Sequence, residues 1–338
     1  MSAPSQLRED EIRPDRLRAE QQARFAADIR RLLERKSEFV PANCPACDAS
    51  RFRKAFEKYE YSFVVCLECG TMYVNPRPTP AILEMYYSTS ENYAYWNRHI
   101  FPATEGARRE KVFRPRAERL RDICSRFGLR GGTLLEVGAG FGTFCEEAQR
   151  LGLFQRVVAV EPTPGLADTC RQRGLEVIQK PIEQVQQEAG QVDVIASFEV
   201  IEHLFSPRDF VRHCAAVLRP GGILLLTCPN VRGFDIALLQ HVSDSVDVEH
   251  LNYFHPASLS RLVSDCGFQV LEVQTPGKLD AELVRKKVLA GKFSLEKQPF
   301  LRRVLIDEWE TLGGPFQQFL ADNGLSSHMW LVARKASA

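Results

Sequence analysis

Thr133-Leu134-Leu135-Glu136-Val137-Gly138-Ala139-Gly140-Phe141-Gly142-Thr143 is the stretch on which the fold turns. Five residues with strand character run into three glycines at alternate positions, and a helical pattern follows. Glycines placed after a strand let the backbone turn tightly and let a ligand approach it closely. The form is Gly-x-Gly-x-Gly, with Thr143 standing where a dinucleotide loop would place its third glycine. Outward from this loop the pattern alternates between strand and helix. Strands are expected at 132–137, 156–161, 175–179, 192–197, 222–228, 268–274 and 328–334, and helices at 142–151, 164–173, 181–188, 206–218 and 256–266. Parallel strands joined by crossover helices imply a doubly wound α/β sheet of seven strands. Residues 276–326 interrupt the alternation with helical stretches near 280–290, 299–311 and 315–322.

Two carboxylates flank the loop. Glu136 precedes Gly138 by two positions, where it would repel a pyrophosphate and suit a cationic amine. Glu161 ends the second strand about 20 residues after the loop, where a carboxylate accepts hydrogen bonds from both hydroxyls of a ribose. A ligand with a ribose and an amine but no pyrophosphate is implied, and S-adenosylmethionine fits that description.

These residues resemble the class I S-adenosylmethionine-dependent methyltransferases, over about residues 106–338. The Glu-x-Gly-x-Gly-x-Gly run, the acidic end of the second strand, Asp193 to Leu204 and the Leu218-Arg219-Pro220-Gly221-Gly222 turn occur in that family's order. The resemblance implies a Rossmann-like sheet. It also implies a cofactor held by Glu136, Gly138, Ala139, Gly140, Gly142 and Glu161, with the adenine near Pro181 and Ile182 and the sulfonium bordered by Phe198 and Val200.

Ten cysteines divide into two classes. Six are scattered through apolar segments and read as small buried hydrophobes; one of them, Cys228, follows strand five in an ordinary loop exit. The other four form Cys44-x2-Cys47 and Cys66-x2-Cys69, a spacing that fits structural Zn²⁺ held by two knuckles. Four thiolates fill a tetrahedral sphere, so such a zinc takes no part in chemistry. A zinc module ahead of a methyltransferase domain resembles bacterial methyltransferases of glycan-assembly gene clusters. More distantly it resembles the sugar C-methyltransferases.

Methyl transfer needs positioning of the acceptor and, often, removal of a proton. The run Glu249-His250-Leu251-Asn252-Tyr253-Phe254 resembles an element of the sugar C-methyltransferases in which His and Tyr act in acid–base steps. Carried over, His250 is the base and Tyr253 its partner. Glu199, Glu202 and His203 raise a second idea, a divalent cation such as Mg²⁺ with His250 as a fourth ligand, which resembles the metal site of small-RNA 2′-O-methyltransferases and of ubiquinone-pathway O-methyltransferases.

Lys plus Arg number 44 and Asp plus Glu 43, so the net charge of +1 disfavours a nucleic-acid partner. No apolar run is long enough for a membrane span, and the first ten residues lack the apolar core of a signal peptide. A cytoplasmic location follows as the expectation. Leu7, Ile12, Leu17, Phe25, Ile29, Leu32 and Leu33 recur at near-helical spacing, so residues 5–38 read as one helix. Thr79 reads as the N-cap of a short helix through Tyr87. The aromatic stretch from Tyr86 to Phe101 reads as a loop or lid, and residues 106–128 read as helical. Four parts are expected: an N-terminal helix over 1–40, a zinc-binding module over 41–78, a helical lid or linker over 79–130, and a methyltransferase domain over 131–338 with its insertion at 276–326. The function expected is methylation of a small-molecule or sugar/glycan acceptor at a hydroxyl oxygen. The alternatives are an RNA methyltransferase that grips RNA with the zinc module, and a sugar C-methyltransferase.

Overall fold

The computed structural model describes residues 7–186 and 188–337. The first six residues of the expected N-terminal segment therefore lie outside the described residues. Eleven strands are formed among the described residues: β1 (Phe52–Lys58), β2 (Tyr61–Cys66), β3 (Met72–Val74), β4 (Thr133–Val137), β5 (Arg156–Val160), β6 (Glu176–Ile178), β7 (Val192–Phe198), β8 (Leu218–Pro229), β9 (Asn252–Tyr253), β10 (Phe268–Gln274) and β11 (His328–Lys335). The chain folds into two compact units. One takes the chain up to Thr104, then Cys228–Ser258 and Gln274–Trp330; the other takes Glu105–Thr227, Leu259–Val273 and the chain from Leu331.

The second unit is built on the seven-stranded sheet, in the order β10-β11-β8-β7-β4-β5-β6. The pairs β4–β5, β5–β6, β4–β7 and β7–β8 are parallel. Its central strands read as continuous apolar runs because helices cover both faces: Leu134, Leu135, Val194, Ile195 and Leu224 are fully buried. Strand order reverses between β4 and β7, and in open α/β sheets the ligand crevice lies there, beyond the carboxyl ends of the strands.

The first unit carries the four-stranded sheet β1-β2-β3-β9. Its helical insertion contributes Ala281, Val284, Leu295, Val304 and Leu305 to a core that also takes in Leu239 and is packed by Trp309 and Phe316. The two units cut the chain differently from the linear parts expected. Strand β9, which follows the fifth strand of the large sheet in sequence, pairs with β3 (Met72 opposite Tyr253, Tyr73 opposite Asn252), and this draws the 228–258 segment into the first unit.

Several expected elements differ. The single helix over 5–38 is two, Glu9–Ile12 and Asp15–Leu33. Pro14 lacks an N–H and forces Arg13 out of the helical region, to φ −140° and ψ 75°. The expected loop from Tyr86 to Phe101 is helical, as Glu91–Tyr95, a π-helical turn Trp96–Ile100, and Phe101–Arg108. Its first turn is capped from a distance: Asp28 accepts from the main-chain N–H groups of Glu91 and Asn92 at 3.1 and 2.9 Å, and Ser90 accepts from Tyr93 at 3.0 Å. The helix expected over 181–188 is a single 3-10 turn, Ile182–Gln184. Strand β8 starts at Leu218 rather than 222, because a register shift against β7 absorbs the extra residues around Gly221, whose φ is +75°. The stretches expected at 299–311 and 315–322 become Pro299–Arg302, a π-helical turn and Trp309–Asp322, which runs through Pro315. No described helix is long and apolar enough to cross a membrane.

Candidate functional site

The loop after β4 places three glycines in the left-handed region, each for a different reason. Gly138 has φ +78°, and a Cβ there would lie 2.5 Å from Val200 Cγ2. Gly142 has φ +72° and would meet Leu175 Cδ1 at 2.4 Å and Cys170 Sγ at 3.0 Å, so it lets the helix Thr143–Arg150 pack down. Gly140 has φ +56° and would meet nothing within 4 Å. The first and third glycines answer to packing; the middle one faces open space, as a backbone that receives a ligand must.

Glu161 is buried and braces this loop. Its Oε2 accepts from Gly140 N at 2.8 Å and its Oε1 from Thr163 N at 2.9 Å. Burial pushes its carboxyl above the usual range, against those bonds. Glu136 is also buried, and the Cys145 thiol donates to its Oε2 at 3.1 Å. Burial pushes Glu136 up to about 8, opposed by the Cys145 thiol and the Arg116 charge. The sequence reading takes Glu136 as an ionised partner for an amine; without that amine the burial leaves it mostly protonated at neutral pH.

Arg116, on the helix Arg114–Arg126, is a site residue that sequence reasoning missed. Its guanidinium lies 4.6 Å from the centre of the Phe198 ring and 5.8 Å from that of Phe113, and 3.8 Å from Glu199 Oε1. Burial holds its pKa below the usual arginine value, opposed by Glu199, Glu136 and Glu202. One arginine among many on an amphipathic helix carries no local signal. Phe198 packs edge-on against Phe144 at 4.6 Å, and Ser197 donates to the Val137 carbonyl at 2.8 Å, tying β7 to β4 at the crevice. Ile182 is buried, at the 3-10 turn that Pro181 opens. A network of Arg109 and Arg173 with Glu105, Glu146 and Glu147 pins the helix that starts at the glycine loop.

The cation ligands expected at Glu199, Glu202 and His203 are brought together in part. Glu202 and His203 have ligand atoms within 4.8 Å of each other. Glu199 instead accepts from Thr227 Oγ1 at 2.6 Å and faces Arg116, on a left-handed backbone at φ +57°. That strained position turns its carboxylate toward the guanidinium.

In the first unit, Asp247 shapes the loop that carries His250: its Oδ1 accepts from the main-chain N–H groups of Glu249 and His250, both at 2.9 Å. His250 Nδ1 lies 3.0 Å from the Ser245 carbonyl. A carbonyl only accepts, so Nδ1 carries a proton, and Asp247 Oδ2 lies 3.4 Å from the same nitrogen. The His250 ring stands edge-on to Tyr253 at 5.9 Å. Tyr253 is fully buried, and its hydroxyl accepts from Asp247 N at 3.1 Å, which ties it to the loop that carries His250. Glu249 takes hydrogen bonds from Tyr86 Oη at 2.6 Å and Asn92 Nδ2 at 3.2 Å; burial, then Asp247, pushes it up to about 7.

The four paired cysteines converge, with all four Sγ atoms within 4.8 Å of one another. Cys44 and Cys69 approach to 3.4 Å and Cys47 and Cys66 to 3.6 Å. Four sulfurs each about 2.3 Å from a zinc ion stand about 3.8 Å apart at the corners of a tetrahedron, so the set fits the metal. Both knuckles close alike: Asp48 N and Gly70 N donate to the carbonyls of Cys44 and Cys66 at 2.9 and 3.0 Å. Asp48 and Gly70 both have positive φ, +62° and +77°. The second knuckle's glycine is legible in the sequence; Asp48 at the matching place in the first is not.

Residues 109–273 match a family model described as a methyltransferase domain. A ubiquinone biosynthesis O-methyltransferase of Caulobacter vibrioides is 37% identical over 117 residues, 32% of this chain and 46% of that protein. One of Xanthomonas oryzae is 33% identical over 119 residues, 33% of this chain and 49% of that protein. The chain thus spans about half the length of these curated relatives. A solved 1,6-didemethyltoxoflavin-N1-methyltransferase of Burkholderia thailandensis superimposes with a TM-score of 0.47 at 13% identity, over 84% of this chain and 100% of that one. With its switch-point loop and the family match together, the segment 109–273 is similar to methyltransferase domains.

Proposed function

We propose that the whole chain is an S-adenosylmethionine-dependent methyltransferase whose acceptor is a small molecule or sugar/glycan precursor, methylated at a hydroxyl oxygen. The observation that carries this reading is Gly140: a left-handed backbone position open to space, between two buried carboxyls. The residues that would hold the cofactor are the 138–142 loop, Glu161 for the ribose, and Glu136 with Arg116 for the amine and carboxylate of its methionine end. When bound, the cofactor supplies a methyl group already activated as a sulfonium. What the chain supplies is position, and at the acceptor a base; His250 Nε2 is the group assigned to take the hydroxyl proton. The names of the curated relatives, O-methyltransferases, support a hydroxyl acceptor.

We propose further that Cys44, Cys47, Cys66 and Cys69 hold one structural zinc, a reading supported by the convergence of their four Sγ atoms. A radiolabelled-methyl assay against nucleotide sugars, glycan oligomers, small phenols and total RNA tests the acceptor. Label should enter a hydroxyl of one of the first three; label in RNA alone would overturn the reading.

A further inference from the structure

A zinc ion with four thiolates carries a net charge of about −2, and burying it is costly unless donors and a cation face it. Two residues beside the cysteines fit those needs. Val64 stands opposite Tyr73 across β2 and β3, so Cys66, two residues on, lies diagonal to Tyr73 on the same face of the sheet. Tyr73 is fully buried, and its hydroxyl has no hydrogen-bond partner among the described residues. Burial holds that phenol above its usual range; Cys44, Cys66 and Cys47 add to the effect and Arg77 opposes it. A buried phenol with a proton to give, on the face of the sheet that carries Cys66, is costly unpaired in the bare chain and useful once the thiols are ionised.

Arg77 lies over this ring, its guanidinium 5.6 Å from the Tyr73 centre, and is 1% exposed. Asn252, opposite Tyr73 in β9, accepts from Arg77 Nη1 at 3.2 Å, and the Val74 carbonyl accepts from Nε at 3.2 Å. The Arg77 main chain pairs in both directions with Val40, four residues before the first knuckle. Its position is therefore set on three sides.

We infer that Tyr73 and Arg77 are the outer sphere of the zinc–tetrathiolate centre, Tyr73 giving its hydroxyl proton to a thiolate sulfur as a hydrogen bond and Arg77 supplying the compensating charge. The inference rests on the zinc reading above and goes beyond it. These two residues make the centre slow to lose metal and its sulfurs poor nucleophiles.

The test uses the full chain purified with zinc, in wild-type form and as Tyr73→Phe, Arg77→Met and Arg77→Lys. Zinc is counted by elemental analysis, its affinity and release rate are measured against an excess of a chromogenic chelator, and thiol alkylation is followed with iodoacetamide. Tyr73→Phe keeps the ring and removes only the hydroxyl, so the fold is retained. It should weaken zinc binding by about 10- to 100-fold and speed alkylation of the four cysteines. Arg77→Met should do the same and Arg77→Lys should recover most of the loss; if Arg77→Met does not fold, Tyr73→Phe and Arg77→Lys decide. Tyr73→Phe with affinity, release rate and alkylation all within twofold of wild type overturns the inference. A wild-type chain that takes up no zinc overturns the zinc reading itself.

Discussion

Gly140→Arg should separate ligand binding from folding. Gly140 sits at φ +56°, where an L side chain costs about 1–2 kcal/mol. A Cβ there meets nothing within 4 Å, so no packing penalty is added and the stability loss should stay near that figure. Gly142→Ala is the contrast. Its Cβ would fall 2.4 Å from Leu175 Cδ1 and 3.0 Å from Cys170 Sγ. Overpacking of about 1–3 kcal/mol adds to the same backbone strain there, for a total of roughly 2–5 kcal/mol. The assay is thermal and denaturant unfolding with and without S-adenosylhomocysteine, paired with calorimetric titration. At a ligand concentration of about 100 times Kd, binding stabilises the wild type by about 2.7 kcal/mol. Gly140→Arg should melt at one temperature whether or not ligand is present, only slightly below the unliganded wild type. If Gly140→Arg keeps the ligand-induced stabilisation, the space above Gly140 is not the cofactor's. If it unfolds while Gly142→Ala is tolerated, the assignment of roles within the loop is wrong.

The remaining predictions concern protons and metal. With Glu136 at about 8, its carboxyl is about nine-tenths protonated at pH 7, so a cationic amine binding beside it should release about 0.9 proton. Calorimetry in two buffers of different ionisation heat measures this, and heats that do not depend on the buffer would refute it. In the ligand-free chain the folded state holds that proton more tightly than the unfolded one, so stability should fall as pH rises from about 4.5 to about 8, with Glu136→Gln flattening the slope. His250→Ala should lower turnover on the true acceptor by at least about 100-fold with cofactor affinity nearly intact; unchanged turnover would make the histidine structural. Cys44→Ser combined with Cys66→Ser should leave the chain without zinc on elemental analysis, and retained metal would place the zinc elsewhere.

The sheet was legible because its strands are continuous apolar runs separated by amphipathic helices, a pattern each segment carries alone. The glycine loop was legible for the same reason: turn, close approach and the two carboxyls lie within about 25 residues. The cysteine pairs announce themselves by spacing. Other features depend on partners far away in the chain. The helix at Glu91–Tyr95 is capped by Asp28, more than 60 residues earlier, so its own residues look like a loop. Arg116 becomes a site residue only because β7 delivers Phe198 and Glu199 to it. Glu136 reads as a charged group in sequence and becomes a mostly protonated one because burial outweighs the Cys145 thiol that donates to it. That Tyr253 takes a hydrogen bond from the main chain of Asp247 is likewise invisible in the sequence. Tyr73 and Arg77 look like ordinary strand and turn residues until β3 is laid between β2 and β9. Periodicity, glycine placement and ligand spacing, being local, were thus determined by the sequence by itself. Protonation, capping and the company each side chain keeps were decided only by the tertiary structure, because they depend on burial and on charges from distant segments.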